Sequence, residues 1–322
     1  MNIKAKILAP FLIAAIPMAA MANDYTLKVS MSVGEKDPMF AGAQYLKTNV
    51  EKRTDGHLKV EIFPSGQLGS VEGVQEMAMF GENVAAITDS GRLSVFSKEI
   101  GVIGVAYAAK NYDEMKKIVE TDLFKSWEKK LEKEGLHVLS FNWFQGSRSF
   151  MTNKPVNKPE DLNGMLIRTP GSAVWSESIS ALGATPTALP WAETYPAMQQ
   201  GVVDGFEAQL PATIAASLQE TIKYVAETEH FQLMTALVAS EEWFSSLPKE
   251  YQKILLEESS KAGAYASDMT NKNIADYKRT MEEDYNVKFI PVDKTPFIAR
   301  AQTVFKKLGY EKEYKELQNA LK

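Results

Sequence analysis

Two arginines lie in sequence surroundings suited to binding a carboxylate. Arg148 follows an apolar strand pattern, and Arg168 ends the strand pattern at 165–167. In α/β folds, ligands bind in the crevice at the carboxyl ends of the strands. A guanidinium can donate two parallel hydrogen bonds to one carboxylate. We therefore expect an anion site here, and the alternative is that both arginines pair with nearby acids at the surface.

Other candidates for the same crevice are acidic or aromatic. Asp89 follows a strand pattern, where it could accept a hydrogen bond from a ligand hydroxyl or cap a helix. Glu72 could reach the crevice, or simply occupy a helix start, where an acidic residue is favourable. The tryptophans Trp143, Trp175 and Trp191 could line a pocket, and burial in the apolar core is the alternative.

The motifs of common enzyme and metal sites are missing from the sequence. The three histidines, His57, His137 and His230, are far apart, so we expect surface or strand-end residues and not metal ligands. There is no cysteine, no G-x-S-x-G nucleophile elbow and no phosphate-binding G-x-x-x-x-G-K-[ST] loop. We therefore expect a protein without catalytic residues, cofactor or bound metal.

The elements that must position these residues alternate between strands and helices. Predicted strands cover residues 25–31, 58–62, 84–88, 137–143, 164–168 and 287–291. Predicted helices cover residues 40–53, 71–80, 112–133, 172–182, 191–200 and 296–308, together with 248–285, which is one helix or two in near continuity. The β-α-β order favours an α/β fold with a parallel sheet and crossover helices.

The N-terminus has the features of an export signal. Lys4 and Lys6 precede an apolar run at 7–16, and Ala20 and Ala22 provide small residues at the cleavage positions. This order predicts a signal peptide at 1–22 and a mature protein that begins at Asn23, with a membrane-surface helix as the alternative. The net charge of −5 comes without a block of Lys and Arg, so we expect a soluble protein that does not bind nucleic acid.

Blocks spread along the mature chain carry a family resemblance. They read R-T-D-G at 53–56, I-F-P-S-G-Q-L-G at 62–69, N-K-P-V at 153–156, P-E-D-L-N-G-M-L-I-R at 159–168, L-P-W-A-E-T-Y at 189–195 and Q-G-V-V-D-G at 200–205. Together they resemble the substrate-binding subunits of tripartite ATP-independent periplasmic (TRAP) transporters, a family that includes C4-dicarboxylate and sialic acid binders.

The resemblance implies a two-lobed periplasmic binding protein fold of the α/β class (type II-like). It has a hinge and a long helix that spans both lobes, and it closes on a carboxylate. Lobe I is expected at 23–145 and about 234–273, and lobe II at 146–233 and about 274–322.

The resemblance also assigns roles to individual residues. Arg168 matches the near-invariant arginine that forms a two-pronged salt bridge with the ligand carboxylate, and Arg148 matches a second arginine that assists it. Family members usually carry an asparagine directly after the glutamate at position 207, where this chain has Ala208. Phe206 replaces a residue that is polar in many members. We therefore expect Phe206, Glu207 and Ala208 to give the cavity an altered wall.

The expected function is capture of a small carboxylate in the periplasm by a monomer that delivers it to membrane permease subunits. The ligand is expected to be a sugar acid, another monocarboxylate or a C4-dicarboxylate. The altered wall and the aromatic residues favour the first two. One alternative is a periplasmic enzyme that acts on a carboxylate. The other is a sensor-associated protein that presents its ligand to a receptor.

Overall fold

The computed structural model describes residues 24–322, so the predicted signal peptide and Asn23 lie outside the described residues. The strands are β1 Tyr25–Ser30, β2 Leu58–Phe63, β3 Val84–Asp89, β4 Leu136–Thr152, β5 Leu166–Thr169, β6 Thr185–Ala188, β7 Gly205–Ala208, β8 Tyr224–Ser240 and β9 Lys288–Ile290. The helices are α1 Pro38–Arg53, α2 Val71–Met79, α3 Ser90–Leu93, α4 Tyr112–Glu120, α5 Asp122–Glu132, α6 Ala173–Ala181, α7 Thr194–Gln199, α8 Leu210–Ala215, α9 Glu241–Ser246, α10 Lys249–Tyr285, α11 Thr295–Lys307 and α12 Glu311–Ala320.

All strands belong to one mixed sheet in the order β2-β1-β3-β8-β4-β7-β5-β6, with β9 beside β8. Strands β1, β2 and β3 form a first group, which is parallel because β1 pairs in parallel with β2 and β3. Strands β5, β6 and β7 form a second group, which is also parallel because β5 pairs in parallel with β6 and β7. The predicted parallel pairing is therefore confirmed within each group. The antiparallel pair β4–β8 between the groups was not predicted.

The long strands β4 and β8 join the two groups. Each has 17 residues, and their pairing shifts register at several points up to Arg148/Phe150. Such bulges bend a strand and increase its local twist. Strand β3 pairs with residues 235–239 of β8, whereas β7 pairs with residues 149–152 of β4. The two parallel groups therefore flank different parts of the same long pair.

Helix α10 is one continuous helix of 37 residues, which resolves the choice between one helix and two. At a rise of 1.5 Å per residue, a helix of this length extends roughly 55 Å. It packs on β4 and on α1, and Gly42 and Gly263 lie at these contacts beside Trp143. Within residues 24–322, no helix combines the length and the apolar composition that a membrane crossing requires.

The prediction of a single helix over 112–133 is wrong. Thr121 has extended backbone angles (φ −67°, ψ 147°), and its hydroxyl accepts a hydrogen bond from the backbone N–H of Phe124 at 3.1 Å. A threonine in this role is an N-cap. The segment therefore divides into α4 and α5 at Thr121.

Candidate ligand-binding site

A cavity of about 360 Å³ lies at the junction of the two strand groups. Its wall includes residues that follow or end the parallel strands β1, β3 and β5, and residues from the middle of β4 and β8. This is the position that α/β sheets use for ligands, and the volume suits a small molecule. Of the predicted site residues, Arg168, Arg148, Asp89, Glu72 and Trp191 line the cavity.

Arg168 is a buried cation whose hydrogen bonds, within the described residues, go to a backbone carbonyl and not to a carboxylate. Its side chain is 2% exposed, and Nε and Nη2 donate hydrogen bonds to the carbonyl oxygen of Leu189 at 2.9 and 2.7 Å. The guanidinium carbon lies 5.2 Å from the ring centroid of Trp191, which is a cation–π distance. Among residues 24–322, no carboxylate oxygen lies at ion-pairing distance from this guanidinium.

The surroundings of Arg168 disfavour its charge. Burial and the neighbouring guanidinium of Arg148 lower the pKa of Arg168 to about 9. A buried charge is costly unless it is paired and hydrogen-bonded. An anion in the adjoining cavity would supply the missing pair.

Arg148, in contrast, has its charge compensated inside the protein. Its Nε and Nη2 donate to the two carboxylate oxygens of Glu207 at 2.5 and 2.7 Å, and Nη1 donates to Oε1 of Gln209 at 2.6 Å. The guanidinium carbon lies 4.9 Å from the ring centroid of Trp175. This bidentate pair holds Arg148 in the wall with little capacity left for a ligand.

Glu207 is fully buried and remains ionised. Burial alone would raise its pKa, but Arg148 and His230 outweigh that effect, so the pKa lies below its usual value. Thr169 Oγ1 donates a hydrogen bond to Oε1 of Glu207 at 3.1 Å, and Nε2 of His230 lies 3.7 Å from Oε2. The prediction of a surface or strand-end position is wrong for His230, which is completely buried within β8.

The cavity wall contains a second charged cluster, and Arg92 is at its centre. Nε of Arg92 donates to Oε1 of Glu72 at 2.6 Å, and Nη1 donates to Oδ2 of Asp89. Asp89 also caps α3 through the backbone N–H of Arg92 at 3.0 Å and accepts from Nε1 of Trp175 at 3.1 Å. The helix-cap interpretation of Asp89 is therefore confirmed, and because Asp89 also lines the cavity, a hydrogen bond to a ligand hydroxyl stays a prediction. The sequence offered no motif that would single out Arg92.

Neutral polar side chains complete the wall. Gln209 Nε2 donates to Oε1 of Gln145 at 2.9 Å. Thr88 is 2% exposed, and its hydroxyl oxygen has no hydrogen-bond partner among the described residues. Thr88, Gln145 and Gln209 were missed by sequence analysis. For Thr88 and Gln145 the available signal was a polar residue inside an otherwise apolar strand pattern, whereas Gln209 lies between β7 and α8. Trp175 also lines the cavity, whereas Trp143 packs in the apolar core.

Phe206, Glu207 and Ala208 do not line the cavity, so the prediction that they form its wall is wrong. Successive side chains of a strand point to opposite faces of the sheet. Because Glu207 points towards Arg148, its two neighbours on β7 point to the opposite face. They pack with Met151 and Met198 in an apolar cluster. The residue after Ala208 is Gln209, which brings an amide into the cavity wall.

A possible metal-binding set lies outside the cavity. Glu132, His137 and Glu241 each place one ligand atom within 4.8 Å of the others. Nδ1 of His137 already lies at hydrogen-bond distance, 2.6 Å, from Oε2 of Glu241, and its ring stacks on Phe244. The set is explained by this hydrogen bond, and we assign no metal to it.

Comparison with known proteins identifies the family. The model of the bacterial extracellular solute-binding protein family 7 (DctP) matches residues 29–312. The chain belongs to this family. The resemblance to TRAP transporter solute-binding proteins is thereby confirmed. The C4-dicarboxylate-binding periplasmic protein DctP of Rhodobacter capsulatus is 28% identical, over 80% of this chain and 76% of that protein.

Two crystal structures of TRAP periplasmic solute-binding proteins are also similar, and they differ in state. The protein from Escherichia fergusonii, in an apo open structure, is 38% identical with a TM-score of 0.81, over 92% of this chain and 99% of that one. The protein from Ochrobacterium anthropi, with bound L-fuconate, is 31% identical with a TM-score of 0.89, over 93% and 100%. These matches confirm the predicted α/β periplasmic binding protein fold. The backbone is more similar to the liganded structure, although its sequence is less similar.

Proposed function

We propose that this protein is the capture subunit of a TRAP transporter, and that it binds a small organic acid through Arg168. The observation that carries the proposal is the buried guanidinium of Arg168, which lines the cavity without a carboxylate partner among residues 24–322. A ligand carboxylate would replace the missing counter-ion and accept two hydrogen bonds. In this proposal Arg148 supports the site indirectly, because it fixes Glu207 and Gln209 beside the cavity.

We propose further that the ligand is enclosed by two lobes that move about β4, β8 and α10. The boundaries at 145/146, 233/234 and about 273/274 fall inside these elements, and the irregular pairing near Arg148 supports bending there. The hydrogen bond from Trp175 to Asp89 joins the proposed lobes across the cavity. Greater similarity to the L-fuconate-bound structure than to the apo open one supports a closed arrangement.

The proposed location is the periplasm, followed by delivery of the ligand to membrane permease subunits. Membership of an extracellular solute-binding family and the predicted export signal at 1–22 support the location. An enzymatic function has less support, because the relatives compared above are binding proteins.

A ligand screen on exported protein tests the proposal. Protein recovered from a periplasmic fraction should begin at Asn23, and its Tm should rise with the concentration of a sugar acid. A ligand at a hundred times its Kd stabilises the folded state by about 2.7 kcal/mol. The matching uncharged polyol is the control and should give little shift, because it lacks the carboxylate. Equal shifts with acid and polyol, or none with any organic acid, would contradict the proposal.

Substitution of Gly91 tests whether closure is needed for binding. A Cβ at Gly91 would lie 2.2 Å from Cδ1 and Nε1 of Trp175 and 2.7 Å from Oγ of Ser172, across the boundary between the proposed lobes. Overpacking of this kind costs about 1–3 kcal/mol, which corresponds to about five-fold to a hundred-fold in affinity. We expect Gly91→Ala to weaken ligand binding by that factor in calorimetry.

The control for this experiment is Gly73→Ala, because a Cβ at Gly73 would meet only Oγ of Ser70 at 3.4 Å. The free energy of unfolding without ligand should change little in either variant, since the open form can separate Gly91 from Trp175. If Gly91→Ala binds the ligand as tightly as the parent, the close contact of Gly91 with Trp175 is not required for ligand binding.

A further inference from the structure

The charges in the cavity wall leave a place for one carboxylate. Three arginines of the described chain line the cavity: Arg92, Arg148 and Arg168. Arg148 is paired with Glu207, and Arg92 is shared by Asp89 and Glu72. Only Arg168, among these three, lacks a carboxylate partner within residues 24–322. One ligand carboxylate would therefore complete the pairing, and a second would find no unpaired guanidinium.

The remainder of the wall favours hydroxyl groups. The hydroxyl oxygen of Thr88 is buried and has no hydrogen-bond partner within the described part of the chain. Glu72 uses Oε1 for Arg92, and its side chain is 45% exposed and lines the cavity. Carboxylate oxygens accept hydrogen bonds from hydroxyls, whereas they repel a second carboxylate. The cluster of Arg92 with Asp89 and Glu72 carries more negative than positive charge, so it should discriminate between these two groups.

We propose that the cavity selects acids with one carboxylate and several hydroxyls, such as aldonates or uronates, and that Glu72 and Asp89 exclude dicarboxylates. This inference rests on the proposed capture of a carboxylate by Arg168. It separates this protein from its relative in Rhodobacter capsulatus, which is named for binding C4-dicarboxylates. Glu72 is the residue best suited to a test, because its partial exposure makes substitution compatible with folding.

The test compares acids that differ only at the chain end remote from the first carboxylate. An aldarate is an aldonate whose terminal CH₂OH has become a carboxylate. Calorimetry at pH 7 and constant ionic strength would use two such pairs, gluconate with glucarate and galactonate with galactarate. Succinate would be added as a C4-dicarboxylate without hydroxyl groups. The affinities are compared within the pair whose aldonate binds more tightly. Because opposing like charges cost several kcal/mol at an interface, we expect the aldarate and succinate to bind about a hundred-fold more weakly.

Substitution of Glu72 tests its role in this selection. In Glu72→Gln the ratio of aldonate to aldarate affinity should fall by about ten-fold, because one of the repelling charges is removed. The matched control is Glu76→Gln on the same helix α2, because Glu76 is exposed and lies outside the cavity wall. The ratio of aldonate to aldarate affinity in Glu76→Gln should equal that of the parent. An unchanged ratio in Glu72→Gln would overturn the role of this residue.

Failure of this inference can be told apart from failure of the proposed function. If succinate or the aldarate binds as tightly as the aldonate and Arg168→Ala abolishes that binding, the selection for one carboxylate is overturned while carboxylate capture stands. If no acid binds, or acids bind equally well to Arg168→Ala, both proposals are overturned. Preference for the aldonate in the parent, reduced in Glu72→Gln, supports the inference.

Discussion

Arg168→Ala should weaken binding of the acid by about thirty-fold to several thousand-fold. Loss of one partner of a buried, hydrogen-bonded charge pair costs about 2–5 kcal/mol, and 1.4 kcal/mol corresponds to ten-fold in Kd. The ligand carboxylate loses its hydration in the cavity and needs a cation there. Among the cavity arginines of residues 24–322, only Arg168 is not already paired with a carboxylate of the protein. Calorimetric titration of the parent and the variant with the same acid measures this effect.

The stability of the unliganded variant provides the control for this prediction. Since the buried guanidinium of Arg168 has no counter-ion in the described chain, its removal eliminates an unfavourable charge along with two hydrogen bonds to Leu189. We therefore expect the free energy of unfolding without ligand to change little. Arg168→Lys retains the charge but loses the planar fork, so its affinity should lie between those of the parent and Arg168→Ala. Parental affinity in Arg168→Ala would contradict the account.

Arg148→Ala should instead lower the free energy of unfolding by about 3–5 kcal/mol. The substitution leaves the carboxylate of Glu207, which is 0% exposed, without its cation. In the parent, the pKa of Glu207 lies below 4.5, so the ion pair stabilises the fold above that pH and is lost as the pH falls through the lowered value. In the variant, burial still raises the pKa of Glu207 and the lowering effect of Arg148 is lost, so the destabilisation should diminish as the pH falls from 7 towards 4.5.

Urea denaturation of the unliganded parent and variant at pH 7 and pH 4.5 measures both effects. A matched control is the double variant Arg148→Met/Glu207→Leu, which removes both charges and fills most of the space. It should be more stable than Arg148→Ala, since replacement of a buried ion pair by apolar residues is often neutral or stabilising. If Arg148→Ala unfolds at the parental urea concentration, the ion pair is not a stabilising part of the wall.

Local periodicity predicted most of the elements but not how the sheet is joined. The strand pattern at 25–31 alternates and the helix pattern at 40–53 repeats with clear periods, and the bounds of β1 and α1 differ from these by at most two residues. Strand β8 is buried on both faces over most of its length, so its sequence lacks the alternation that marks a half-buried strand. Its antiparallel pairing with β4 depends on contacts about 90 residues apart, which local patterns cannot specify.

The sequence identified the two arginines but not the difference between them. Arg148 is neutralised by Glu207, 59 residues along the chain, because β4 and β7 pair with Phe150 opposite Glu207. Such a partner follows from strand register and not from spacing. Arg92 was missed for a similar reason: it lies in the four-residue helix α3, and its partners Glu72 and Asp89 become neighbours of a cavity only after folding.

The most direct test of carboxylate capture is the preference for an acid over its uncharged analogue, measured with and without Arg168. Calorimetry would compare the aldonate that binds most tightly with the polyol of the same carbon chain, in the parent and in Arg168→Ala. We expect the parent to prefer the acid by about thirty-fold or more, and this preference should largely disappear in the variant. An equally strong preference for the acid in Arg168→Ala would show that another group holds the carboxylate.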